Sequence, residues 1–368
     1  MIGAMKNLKN LSLGITLFSM FFGAGNLIFA PWMGAQAGPQ APLALLGFLA
    51  TAVILPIFAI ITIAPYGSAR NMISRIWKPL GPVFMTIVYL LIGPCIAIPR
   101  TASTSFEMWI WAFSDSLPAR LLYTLAFFGT AWLLARYPGR LKDLLGKVLG
   151  PLLIVLVFFV CVPLFFQSGS VAPAALEWSG QPVLAGLNEG YQTMDILAAL
   201  CFGIVFMINI RASHPVSEKK TFVISACIAG LLLGSIYTLL TLTAMQHGSA
   251  FAGSTNGADI LSVMAGLGWG PAGQLLCGLI FLLACLNVCA GLLASCSEYF
   301  CLLLPKIRYQ IWLGIFAVAG SLAACLGLDS LLALSGAILP WICPIAILFL
   351  FSGWIRRPKT LPEEAAAD

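Results

Sequence analysis

Few side chains in this sequence can do chemistry, and most of them sit inside long apolar stretches. Arg100 and Glu107 lie seven residues apart in GPCIAIPRTASTSFE, two turns along one face of a helix. A charge inside a membrane span is costly and is normally paired or turned towards a water-filled space. Structurally they are an internal ion pair, or Arg100 snorkels, and fix their helix against its neighbours; functionally they form a gate or a proton-sensitive pair. Asp195, in GYQTMDILAAL, opens another apolar run. There it either caps a helix, where acidic residues are favoured, or pairs with Arg100. Asn287 is the one strongly polar side chain between Phe281 and Ala294, suited to ligating a cation or to hydrogen-bonding a neighbouring helix. Glu298, near the inner end of the same run, reads as structural.

Catalysis and metal chemistry find little support. There is no Ser–His–Asp set within apolar reach, no HExxH, no Walker A pattern and no GxGxxG, so the chain does not read as an enzyme. His214 and His247 both fall between apolar runs, which leaves no histidine cluster for a metal. All 11 cysteines lie in apolar stretches without a CxxC pair and read as small packing residues rather than a disulfide framework. No cofactor is implied.

The elements that position these residues follow from composition. Of 368 residues 60% are hydrophobic and 9% charged, with a mean hydropathy of +0.99; a soluble domain carries about 25% charged residues. The chain is a polytopic all-α membrane protein. Its net charge of +6 belongs to short basic loops that set orientation, not to a nucleic-acid surface. The N-terminus imitates a signal peptide, but its apolar run is too long for one and the pattern of spans continues after it.

Ten spans are predicted, at about 11–37, 41–64, 80–112, 121–135, 148–166, 192–210, 221–245, 271–304, 309–327 and 331–354. With both termini cytoplasmic, all but two of the 19 Lys and Arg fall on the inner side, the exceptions being Arg100 and Arg120. Residues 167–191 then form an outside connection between two halves, 1–166 and 192–354. Residues 246–270 form a second outside loop with a short surface helix near 259–266, and 355–368 form a cytoplasmic tail.

The first span, LSLGITLFSMFFGAGNLIFAPWMGAQAG, carries Gly23-Ala24-Gly25-Asn26 at its middle. These are poor helix formers, and loosened backbone at membrane depth is tolerated only inside protein or along a cavity. The stretch is either a close-packing notch or a break whose free N–H and C=O groups bind ligands. Gly203, in CFGIVFMIN, lies equally deep in the sixth span. Two five-span halves are related by inversion, and paired weak points in two such halves mark a substrate site.

Taken together, FFGAGNLIFAPWMGAQAG, GPCIAIPRTASTSFE, YPGRLKDLLGKVLGPL, GYQTMDILAALCFGI and ACLNVCAGLL resemble the bacterial branched-chain amino acid carriers, the LIVCS or BrnQ-type family. The resemblance implies a LeuT-like five-plus-five inverted repeat with broken helices 1 and 6. It also implies import of Leu, Ile and Val across the inner membrane by cation symport, with Na⁺ the usual ion and H⁺ the alternative. By motif, the N–H groups of Ala24, Gly25 and Asn26, beside Phe21, would take the substrate carboxylate. Phe202, Gly203, Ile204 and Phe206 would take the ammonium and wall the side chain. Ser19 and Phe22 would offer carbonyls to the cation, with Asn287 or Ser295 replacing the threonines that family members carry where this chain has Val288 and Leu293. Family members commonly continue through two further helices. A carrier for another small neutral amino acid, or a sensor that binds without transporting, fits the same architecture.

Overall fold

The computed structural model describes residues 2–109, 116–137, 148–202 and 218–356. Among them every regular element is a helix. Hydrocarbon dictates this, because a helix satisfies its backbone polar groups internally. Six segments are long and apolar enough to cross a bilayer: Gly25–Tyr66, Leu80–Glu107, Leu117–Ala135, Thr221–Gln246, Gly257–Leu303 and Leu328–Ile355. The first is a hairpin, turned at Gly38. Asn10–Phe21, Gly150–Phe165 and Tyr309–Ala324 are shorter apolar helices. Large apolar side chains such as Leu46, Ile54, Leu122, Leu231, Trp341 and Leu348 stand exposed on the periphery, as befits a surface facing lipid rather than water. The chain is a multi-pass membrane protein.

Three breaks interrupt these helices at depth. The first separates α1 (Ile2–Phe21) from α2 (Ala24–Ala37) at Phe22 and Gly23. The hairpin continues through α3 (Ala41–Leu49), a π-helical stretch at Ala50–Ile54 and α4 (Leu55–Ile63). After the short α5 (Ala69–Ser74), the second break parts α6 (Leu80–Leu90) from α7 (Ala97–Glu107). There Gly93 leaves helical geometry beside Pro94, so the third predicted span is two helices rather than one.

Beyond α8 (Leu117–Ala135) and α9 (Gly150–Phe165) the chain enters the stretch expected to connect two halves. Residues 167–191 are not simply a connection: they hold α10 (Leu176–Ser179) and most of α11 (Pro182–Gln192). The third break follows at Thr193 and Met194, before α12 at 195–202. Met194 has φ +64°, left-handed backbone that a side chain rarely adopts. The described break of the sixth span thus lies about ten residues ahead of Gly203, which falls outside the described residues. The chain ends in α13 (Glu218–Gln246), α14 (Gly257–Leu303), α15 (Tyr309–Ala324) and α16 (Leu328–Ile355). Gly270, at φ +62°, bends α14 and sets off a first section somewhat longer than the predicted surface helix.

Packing draws the breaks together. The α1–α2 unit lies along α13 and α14, α14 lies against α7, and α11 lies along α3. The α11–α3 contact is close because both helices present glycine. A Cβ on Gly186 would sit 1.9 Å from the Ala44 carbonyl oxygen, and one on Gly47 would sit 2.0 Å from that of Val183. Thr51, in the π-helical stretch, donates to the Leu187 carbonyl at 3.0 Å. Gly186→Val should therefore force the two helices apart at a cost of about 1–3 kcal/mol or more. Gly129→Ala, with nothing within 4 Å of its Cβ, should leave the protein unharmed. Thermal unfolding of the two variants in detergent, followed by size-exclusion chromatography, tests the contrast.

Candidate functional site

The three breaks meet around one narrow cavity of about 30 Å³. Its polar side is formed by Gly25, Asn26, Arg100, Thr101, Thr193 and Asp195. Its apolar side is formed by Phe21, Ile92, Ala198, Phe202, Val288 and Leu292. Phe21 and Phe202 meet edge to face at 6.3 Å.

Asn26 organises the polar side. Its Oδ1 accepts from the Gly23 N–H at 3.1 Å, supplying a partner that the broken helix lacks. Its Nδ2 donates to Asp195 Oδ2 at 3.0 Å and to the Tyr237 hydroxyl. Tyr237 in turn donates to the same carboxylate oxygen at 3.0 Å and packs edge-on against Phe48. All three side chains are buried. Asp195 does not cap its own helix: the Thr193 hydroxyl accepts from the Asp195 N–H at 3.4 Å and donates to the Gly190 carbonyl at 2.8 Å.

Arg100 reaches into the same place. Its Nη1 donates to the Gln192 carbonyl at 2.8 Å, the last residue of α11, and its guanidinium lies over the Phe29 ring. Glu107, two turns away at the end of α7, is half-buried. Arg100 is thereby linked to the third break.

The predicted cation residues divide. Asn287 Nδ2 donates to the Ser19 carbonyl at 2.7 Å and to the Ser19 hydroxyl at 2.8 Å, all of it buried. Asn287 Oδ1 is buried without a hydrogen-bond partner. Phe22 is enclosed and stacks on Phe18 at 4.9 Å. Ser295 is buried too, but eight residues along a helix place it about 12 Å from Asn287, so the Ser19–Asn287 contact does not include it. Of the substrate residues, Phe21, Gly25, Asn26 and Phe202 line the cavity, and Ala24 begins α2. Gly203, Ile204 and Phe206 lie outside the described residues.

Thr193, Tyr237, Ile92 and Val288 join the site without having been expected there. Gln192 and Thr193, polar at the head of an apolar run, are a usable signal for the first of these. A tyrosine in mid-span needs a partner for its hydroxyl, which points to Tyr237 without naming what it meets. The Gly93-Pro94 pair, a strong punctuator, announces the break beside Ile92.

Comparison with known proteins bears on what this site serves. Residues 6–363 match the family described as "Branched-chain amino acid transport protein". The chain belongs to that family. It is 38% identical over 344 residues to the "Branched-chain amino acid permease BrnQ" of Corynebacterium glutamicum, covering 93% of this chain and 80% of that one. It is 37% identical over 373 residues to the "Branched-chain amino acid transport system 3 carrier protein" of Pseudomonas aeruginosa, covering 98% and 85%. Such relatives are named as permeases and carriers, transporters rather than enzymes. Among solved structures it is similar to Mhp1, a nucleobase-cation-symport-1 family transporter in a closed conformation with bromovinylhydantoin bound. The TM-score is 0.57 at 17% identity, over 93% of this chain and 77% of that one, which shows a shared fold. The chain is a branched-chain amino acid transporter of that helical architecture.

If the Asn26–Asp195–Tyr237 cluster holds the breaks in register, Tyr237→Phe should lower unfolding stability by about 1.5–3 kcal/mol, as expected for a lost hydrogen bond to a charged group. Thermal unfolding in detergent measures this. An unchanged transition would mean that the hydroxyl is not carrying the contact.

Proposed function

We propose that this chain imports Leu, Ile and Val across the bacterial inner membrane by cation symport, with alternating access around its broken helices. The observation that carries the reading is one buried cavity lined by both polar and apolar residues where helix breaks converge. The first turn of α2 turns its N–H groups and positive dipole end to a carboxylate. The Thr193 carbonyl at the third break, facing Gly25 and in place of the carbonyls expected near Gly203, suits an ammonium group. Phe21, Ile92, Phe202, Val288 and Leu292 suit an aliphatic side chain, each buried methylene stabilising it by about 0.8 kcal/mol. Such a wall separates Leu from Ala but discriminates weakly among Leu, Ile and Val. Five-plus-five inverted repeats and cytoplasmic termini complete the proposal, supported by the basic loops.

A coupling cation is assigned to Ser19 and Asn287. The amide Nδ2 occupies both Ser19 oxygens. Turning the amide over would bring its partnerless Oδ1 to those two oxygens, giving three hard oxygen donors at one point. Sodium favours that set over the thiols of the same helix. A narrower substrate range has one observation in its favour: a cavity of about 30 Å³ has room for roughly one or two waters. Leucine enters only as the aromatic wall moves.

Uptake of labelled leucine into proteoliposomes, under an imposed Na⁺ gradient or an imposed pH gradient, tests the proposal. Accumulation is expected with Na⁺, and Asn287→Ala should reduce that accumulation about tenfold or more while leucine exchange persists, since charge-assisted contacts contribute about 1.5–3 kcal/mol. Accumulation with the pH gradient alone would reassign the ion. Leucine binding with no accumulation under either gradient would favour a sensor, and competition by alanine as strong as by leucine would favour a carrier of smaller amino acids.

A further inference from the structure

The cavity holds two opposite charges, each tied to the fold through only part of its polar atoms. Arg100 and Asp195 are 3% and 2% exposed, and both line the cavity. No direct ion pair joins them. Arg100 Nη1 donates to the Gln192 carbonyl, while Asp195 Oδ2 accepts from both Asn26 and Tyr237. Arg100 keeps Nη2 beside Gly25, and Asp195 is held through Oδ2 by Asn26 and Tyr237 with the Thr193 hydroxyl close by. Each charge is only partly satisfied by these contacts, and two opposite charges held apart on one cavity suit a ligand that meets both.

Their placement says what that is. A Cβ on Gly25 would lie 2.9 Å from Arg100 Nη2 and 3.2 Å from the Thr193 carbonyl oxygen. The guanidinium therefore stands against the first turn of α2, where the helix dipole also favours an anion. A planar guanidinium with a free edge is matched to a carboxylate. Asp195 is held by one oxygen and presents the other. An α-amino acid carries a carboxylate and an ammonium on one carbon, which is the complement of this array.

We propose that Arg100 and Asp195 form a charge clamp for the substrate zwitterion, Arg100 taking the α-carboxylate with the first turn of α2 and Asp195 taking the α-ammonium. The clamp rests on the transporter reading above and adds to it two side chains that contact substrate. Asn26 and Tyr237 are positioning residues, which fix one carboxylate oxygen of Asp195 and leave the other to the cavity.

The test is competition against labelled leucine binding to the purified full chain, with leucine, leucinamide and 4-methylpentanoate as competitors. Leucinamide lacks the carboxylate and 4-methylpentanoate lacks the ammonium, and wild type is expected to prefer leucine to both. In Arg100→Gln the preference over leucinamide should fall about tenfold or more, the worth of a charge-assisted contact, while the preference over 4-methylpentanoate stays. In Asp195→Asn the pattern should reverse. General damage to the fold cannot produce that crossed result. Should either variant fail to fold, Arg100→Lys and Asp195→Glu keep the charge and lose the geometry, and the same crossed ratios are read on them. Equal losses for all three competitors in both variants would overturn the clamp and leave the two residues as helix staples. Absence of leucine binding by wild type would instead overturn the transporter reading on which the clamp rests.

Discussion

A broken helix in hydrocarbon has polar backbone groups with no water to meet them, and most of this structure can be traced to how those groups are satisfied. The amide of Asn26 does the largest share. One end accepts the N–H of Gly23 across the first break. The other binds Asp195, the first residue after the third break, and the hydroxyl of Tyr237 on α13. One side chain thus seals a helix terminus and fixes two breaks relative to each other. Arg100 adds the second tie, from the helix after the middle break to the carbonyl that ends α11. With both in place, the breaks converge instead of standing as separate defects.

Convergence has a chemical result. Each break supplies a different kind of group to the same small volume. The first gives N–H groups, the third gives the Thr193 carbonyl and a carboxylate, and the second brings Ile92 and Arg100 from its two sides. Helices α12 and α14 close the remainder with Phe202, Val288 and Leu292. The cavity is lined by both polar and apolar groups because broken backbone ends and helix faces meet around it. A family that moves small amphipathic molecules has use for that mixture.

Much of this is legible in the sequence, for reasons that differ by element. Spans show because hydrocarbon leaves no alternative to long apolar helices, and the first break shows because two glycines and an asparagine interrupt one of them. Glycine is the usual weak point, so Gly203 points to a break deeper in the sixth span. The described one uses Thr193 and Met194, the latter in left-handed backbone that no propensity favours at methionine; Asn26 binds Asp195 just after it and Arg100 binds Gln192 just before it. Helix α11 was hidden for a related reason. Its sequence, PVLAGLNEGYQ, is too polar to look membrane-buried, and its glycine face makes sense only against the matching glycine of α3. The partnership of Asn26 with Tyr237 is invisible in one dimension, because nothing local to either residue encodes a contact 211 residues away.

That distance along the chain has a consequence for biosynthesis. Asn26 leaves the ribosome long before Asp195, which is 169 residues later, and before Tyr237, which is 211 residues later. At about 5–20 residues per second, the interval is roughly 10–40 s. Throughout it the first break has a polar side chain and free backbone groups with no final partner, a state that hydrocarbon penalises by several kcal/mol for each group. The opening helices must therefore wait beside the insertion machinery or near the headgroups, and they can settle only after α13 has been made. The centre of the carrier is among the first parts to be synthesised and among the last to be completed.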